Sequence, residues 1–255
     1  MILRWNWRER ARASAIHLGI SLAVAFLAAL LVFGLWYPYP YRVLSGGREL
    51  FQILITVDAI MGPLITLMIF DRAKPWRELR RDLAIVGLLQ LAALAYGLWT
   101  VFLARPVHLV FEFDRLRAVH AVEVPPELLD KAPRGIDPLP VLGPTLLAVR
   151  PFRDANEKME ATLAALNGVS LGSRPDLWQS YDAARERVRE AARPASELKA
   201  RFPRAAGEID AVLAAQGRRA EDMRYLPLLS RRTAWTAFIE PASGDPVAYM
   251  PLDSF

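Results

Sequence analysis

Asp58 sits eight residues into a run from Leu50 to Phe70 that holds no other charged residue. In hydrocarbon an ionised carboxylate near mid-depth costs at least ~2.5 kcal/mol on insertion scales, so this side chain must face protein and find a hydrogen-bond partner. Tyr96 lies seven residues in from Leu103 on another apolar run, at matching depth, and is the expected partner. Thr56, Thr66 and Gln90 are lesser candidates. Gly62 and Pro63 follow Asp58 closely, and because proline removes a backbone donor they are expected to loosen or kink the helix. Ser21, Ala25 and Ala29 recur every four residues on the first apolar run, as do Ala93 and Gly97 on the third. Small side chains at that spacing let membrane helices approach closely. The stripes either pack these helices together or dock a helix of another protein. Asp58 likewise either ties the second helix to the third or also meets a polar group on an incoming helix.

Chemistry elsewhere is sparse. The chain has no Cys, which excludes disulfides, thiolate metal sites and cysteine nucleophiles. GVSLG at 168–172 matches the spacing of a hydrolase nucleophile elbow around Ser170, but that elbow needs a strand before the serine and a helix after it. Here a helical stretch ending in Asn167-Gly168 precedes it, which reads as a helix C-cap with one of those two residues left-handed. Of three histidines, His17 belongs to the first apolar run, while His108 and His120 fall on a predicted hairpin without a third metal ligand. There is no glycine-rich phosphate loop. The expectation is a protein that is not an enzyme, with no catalytic residues, no metal and no cofactor.

These residues need elements to hold them. Ala13 to Tyr41 contains no Asp, Glu, Lys or Arg, and neither does Leu83 to Ala104. With the Leu50 to Phe70 run, this predicts three transmembrane helices at 15–37, 50–70 and 83–103, since about 20 apolar residues span the hydrocarbon core. A cleaved signal peptide fits the first run poorly: it is too long and ends in WYPYPY without a small-residue cleavage site. Arg4, Arg8, Arg10 and Arg12 precede the first span, and Arg72, Lys74, Arg77, Arg80 and Arg81 crowd the loop between the second and third. The positive-inside rule puts both segments in the cytoplasm and everything after the third span outside. Trp36, Tyr37, Tyr39 and Tyr41 are then expected to form an aromatic belt at the outer interface.

Residues 1–104 carry 11 Lys and Arg against 6 Asp and Glu, whereas 105–255 carry 21 of each. The net +5 thus belongs to the membrane part and faces lipid headgroups, and a neutral outer domain is not a nucleic-acid reader. In that domain Val107 to Val124 reads as a strand, a turn near Asp114 and a second strand, and the segment around Leu146 as another. Helical periodicity follows in Asn156 to Leu166, Pro175 to Ala192 and Ser196 to Ala215. RYLPLLS, TAWTAFIE and PVAYMPL close the chain as strands. The predicted architecture is a membrane protein: a three-helix transmembrane anchor, 1–104, then an α+β domain outside the cytoplasm, 105–255, with antiparallel strands at its two ends.

Three segments carry a resemblance: ITVDAIMGPLITLMIFD from Ile55, LAIVGLLQLAALAYGLWTVFLARPVHLVFEFDRLR from Leu83, and RYLPLLSRRTAWTAFIEPASGDPVAYMPLD near the end. Together they resemble the TfpX/TfpZ family of type IV pilin accessory proteins. The resemblance implies a multi-pass protein of the bacterial inner membrane, in contact with membrane lipids and with its α+β domain periplasmic, that acts as a chaperone for a cognate major pilin and assists its stability and assembly. It implies no catalytic residues, and it leaves oligomeric state open. The competing expectation is a membrane-anchored enzyme modifying pilin or a lipid-linked substrate, for which only His108, Glu112 and Asp114 offer clustered polar groups.

Overall fold

The computed structural model describes residues 7–231 and 233–255. Arg4, used above to orient the first span, lies outside the described residues. The chain divides into two compact units: one runs up to Leu35 and resumes at Gly46–Leu103, and the other joins Trp36–Ser45 to Ala104–Phe255.

The first unit is helical. Helix α1, Trp7–Leu31, starts eight residues before the predicted span and passes into a π-helical turn, Val32–Trp36. The short α2, Tyr41–Leu44, belongs to the second unit. Helix α3, Gly47–Ile69, stays one helix through Pro63, and α4 covers Trp76–Leu103. Three segments are long and apolar enough to cross a membrane: Trp7–Trp36, Gly47–Ile69 and Trp76–Leu103. Between the second and third, Asp71 accepts from the amide of Ala73 at 2.9 Å, and Pro75 stands just before α4. Both features suit a tight turn and a helix start. Helices α1 and α4 each pack along α3, with no comparable packing between α1 and α4. The central helix therefore supplies the floor, and its two neighbours the walls, of whatever lies between them.

The second unit is built on a mixed sheet. Strands β1 (Pro106–Glu112) and β2 (Arg115–His120) form an antiparallel hairpin whose turn places Phe113 at φ 58°. Strand β3 (Thr145–Val149) lies parallel to β1, with β4 (Trp178–Ser180) outside it. On the other flank β6 (Arg224–Leu229) pairs in parallel with β2, followed by β7 (Ala234–Ile239) and β8 (Pro246–Met250) in antiparallel order. A two-residue strand β5 (Arg193–Pro194) also pairs with β6. The strands at the two ends of the domain thus join one sheet through the β2–β6 pair, which makes it mixed rather than wholly antiparallel.

Alternation sorts the side chains. Leu109, Phe111, Leu116, Ala118, Leu226, Leu228, Trp235, Ala237 and Ile239 share one core with Val188 of α6 (Arg185–Ala191) and with Tyr41 and Leu44 of α2. The opposite face is covered by α5 (Ala155–Leu166) over Val110, Val119 and Leu147, and by α7 (Ala195–Arg201) and α8 (Ala206–Ala214) over Tyr225 and Phe238.

Three sequence expectations are corrected here. Pro175 to Ala192 is not one helix, because Trp178–Ser180 is drawn out as edge strand β4; Trp178 is buried, and its indole N–H donates to the Gly172 carbonyl at 2.7 Å. Ser196 to Ala215 splits at Pro203, which lacks a donor and leaves Phe202 non-helical at φ −123°, ψ 69°. The aromatic belt also fails for Tyr37 and Tyr41, which are buried; Tyr41 lies in the sheet-domain core with its hydroxyl bonded to that of Tyr249, so its ring is spent on packing.

Candidate functional site

The walls and floor of the helical unit border an open cavity of about 220 Å³. Helix α1 contributes His17, Ile20, Ser21, Val24 and Ala25; α3 contributes Ile55 and Asp58; α4 contributes Gly87, Gln90, Leu91 and Leu94. Polar residues line up beneath it because lipid offers no alternative partner. Ser14 donates to the Pro63 carbonyl at 2.8 Å, and His17 Nδ1 meets the Thr66 hydroxyl at 2.5 Å. At the end of the bundle Arg10 donates to the Met68 carbonyl at 2.8 Å and pairs with Asp71 at 3.4 Å, while Arg72 pairs with Glu9 at 3.2 Å. Arg10, Ser14, His17 and Ser21 are spaced by four, three and four residues, which puts them on one face of α1. That polar heptad was available in the sequence and identifies the α3-facing side of the helix.

Asp58 lines the cavity, but Tyr96 does not meet it. Tyr96 is 74% exposed on the outside of α4, and the side chain that reaches Asp58 is Gln90, whose amide donates to the Asp58 backbone carbonyl at 3.1 Å. Depth matching ignored rotation: Gln90 and Gly97, seven residues apart, share the α3-facing side, and Tyr96 lies about 100° away from Gly97. Among the described residues no side chain pairs with the Asp58 carboxyl.

The small residues divide among roles. Gly62 and Pro63 are buried, and a Cβ on Gly62 would collide with the Gln90 amide. A Cβ on Gly97 would strike the tip of Leu54, so this glycine serves α3–α4 packing. Ser21 and Ala25 line the cavity, Ala29 is half-buried, and Ala93 is exposed. Ala93 and Gly97 therefore do not act as a single stripe.

In the sheet domain the other candidates are occupied by structural tasks. Gly168 is left-handed at φ +92°, and the amides of Gly168 and Val169 return to the carbonyls of Ala165 (3.1 Å) and Ala164 (2.9 Å), the pattern that closes a helix C-terminus. Ser170 follows that cap and bonds to Ser173 at 3.1 Å, with no helix of the elbow type after it. His108 is fully buried against Trp178. A carbonyl only accepts, so His108 Nε2–H donates to Pro138 at 3.1 Å and Nδ1 accepts from the Thr145 hydroxyl at 2.7 Å. Burial pushes its pKa down to about 4, so the ring is neutral and fully engaged. His120 Nδ1 bonds to Glu123 at 3.0 Å. Glu112 accepts from Arg117 at 2.9 Å and from the Gly172 amide at 2.6 Å, a contact that requires glycine because a Cβ there would come within 2.8 Å of the carboxylate. Asp114 holds Arg115 through both oxygens, at 2.7 and 3.1 Å. Among the described residues no group of three or more His, Cys, Asp or Glu is arranged to hold a metal.

Fold and site define a class: a protein with three helices fit to span a membrane, a cavity between them lined by a carboxyl that has no partner among the described residues, and a mixed-sheet domain. Known proteins narrow it. The fimbrial assembly protein of serogroup I from Dichelobacter nodosus is 33% identical over 235 residues, covering 90% of this chain and 90% of its own length. The serogroup E1 protein of the same organism is 34% identical over 236 residues, with the same coverage. The protein of serogroups C1 and C2 is 38% identical over 124 residues, 49% of this chain and 92% of its own. A family model, fimbrial assembly protein FimB, matches residues 5–46. No solved structure matches. The chain belongs to the fimbrial assembly protein family.

Proposed function

We propose that this chain is an inner-membrane accessory of type IV fimbrial assembly that binds its cognate major pilin before the subunit enters the fibre. The observation that carries the reading is the extent of similarity: relatives named fimbrial assembly proteins align over 90% of the chain, so both the helical unit and the sheet domain belong to what they share. The TfpX/TfpZ resemblance of the second and third spans and of the closing strands supports the finer assignment to pilin accessory proteins. Arginines set the orientation: Arg8, Arg10 and Arg12 lie at the same end of the bundle as the 71–82 loop, as the Arg10–Asp71 and Arg72–Glu9 pairs require. The positive-inside rule makes that end cytoplasmic and sends the sheet domain to the periplasm. A subunit waiting in the membrane then meets two surfaces on one chain, and two weak contacts on one chain reinforce each other through effective concentration.

The test removes the gene from its host and counts surface fimbriae, then purifies a tagged chain from the membranes of the complemented strain. The expected result is loss of fimbriae with pilin retained in the inner membrane, and co-purification of pilin with the tag. Normal fimbriation in the deletion strain, or a tagged chain free of pilin, contradicts the reading.

A further inference from the structure

The cavity between α1 and α4 is open, and among the described residues the Asp58 carboxyl on its floor has no hydrogen-bond partner. The two walls do not pack on each other as they pack on α3. Ser21, Ala25 and Gly87 leave the mouth narrow-walled, while Ile20, Val24, Leu91 and Leu94 make it apolar. Gln90 spends its amide on the backbone of Asp58, so the carboxyl beside it is left without a hydrogen bond among the described residues. In lipid such a group is satisfied only by another polar group. At about 220 Å³ the space admits side chains but not a whole helix, which is about 10 Å across. An occupant therefore lies along the mouth and sends side chains in.

We propose that this groove seats one transmembrane helix of the fimbrial subunit, and that the depth and register of that helix are fixed by a hydrogen-bonding side chain, a hydroxyl, an amide or a protonated carboxyl, set against the Asp58 carboxyl. The inference rests on the pilin-binding reading above. A second copy of this chain is the weaker fit. Of its exposed intramembrane hydroxyls, Thr56 and Thr100 donate to carbonyls of their own helices, and Tyr96 projects from α4 nine residues from Gly87, about 180° around the helix. Copies would have to join head to tail, which does not close a two-fold pair.

The test places a photo-crosslinking amino acid in the full-length chain, in host membranes that contain pilin, at groove positions Val24 and Leu91, at outward positions Phe26 and Leu89, and at one exposed sheet-domain position. Pilin adducts from Val24 and Leu91 but not from Phe26 or Leu89 are expected. Asp58→Leu is expected to reduce them at least about fivefold and Asp58→Asn to keep most of them, since a neutral amide still makes the bond. Should Asp58→Leu fail to accumulate, Ser21→Phe, which fills the groove from its wall, is expected to abolish the same adducts. Pilin adducts from the sheet domain alone overturn the groove and leave the function standing. Adducts of lipid or of a second copy at Val24 and Leu91 also overturn it, and absence of pilin from every position overturns the pilin-binding reading itself.

Discussion

Gly62 lies where Gln90 needs room. Gly62→Ala is expected to displace the amide from the Asp58 carbonyl and to lower bundle stability by about 0.6–1.7 kcal/mol, the range of interhelical hydrogen bonds in membranes. Gln90→Ala should cost a similar amount, and the two together less than their sum, because both remove one interaction. Unfolding in mixed micelles checks this, and additive losses would contradict the contact. His108 makes a pH prediction. Its folded pKa is lowered to about 4 from an ordinary value near 6.5, so the folded state resists protonation. The associated stability, on the order of 3 kcal/mol, is fully present above pH ~6.5 and is lost as pH falls toward 4. Denaturant titrations of the detergent-purified chain at pH 7.5 and 4.5 should show that loss, and His108→Gln should flatten the slope between them. At this scale the sequence singled out Asp58 but misplaced its neighbour: Gln90 rather than Tyr96 reaches the residue, and it does so at the backbone carbonyl. Depth along a helix is read from residue counts, whereas rotation depends on which face packs, and only the Arg10–Ser14–His17–Ser21 heptad encoded that.

Among the elements, α2 is the one most easily misjudged. It sits in the connection between two membrane helices, yet Leu44 is buried in the sheet-domain core and its carbonyl accepts from the Thr233 hydroxyl at 3.2 Å. Leu44→Ala should destabilise the sheet domain by about 2–5 kcal/mol, as core truncations do. Limited proteolysis of the 105–255 region in the full chain reports it; unchanged resistance would show that the connection is not part of the core. The cap at Gly168 predicts a smaller effect, about 1 kcal/mol for Gly168→Ala, because an L side chain is strained at φ +92°. Membrane helices and the terminal strands were legible because long uncharged runs and alternating β-branched or aromatic residues leave few other choices. The segment around Trp178 was not. Its local helical spacing lost to the burial of one large ring against β3, which no window of neighbouring residues contains.

At the level of the whole molecule, the account depends on charge as much as on hydrophobicity. The basic excess lies wholly in residues 1–104, and the sheet domain carries equal numbers of both signs, so nothing in its net charge opposes transfer across a membrane. The motifs of the second and third spans and the closing strands pointed to the TfpX/TfpZ family, of which the relatives bear out the coarser part, a fimbrial assembly protein; the groove was not legible, since it exists because α1 and α4 pack on α3 with no comparable packing on each other. The most direct test is the side of the membrane on which the carboxyl terminus lies. A reporter that is active only outside the cytoplasm, fused after Phe255, should be fully active, and the same reporter inserted in the 71–82 loop should be silent. Activity from the loop and silence from the carboxyl terminus would put the sheet domain inside the cell, where it could not meet a fimbrial subunit's exported portion.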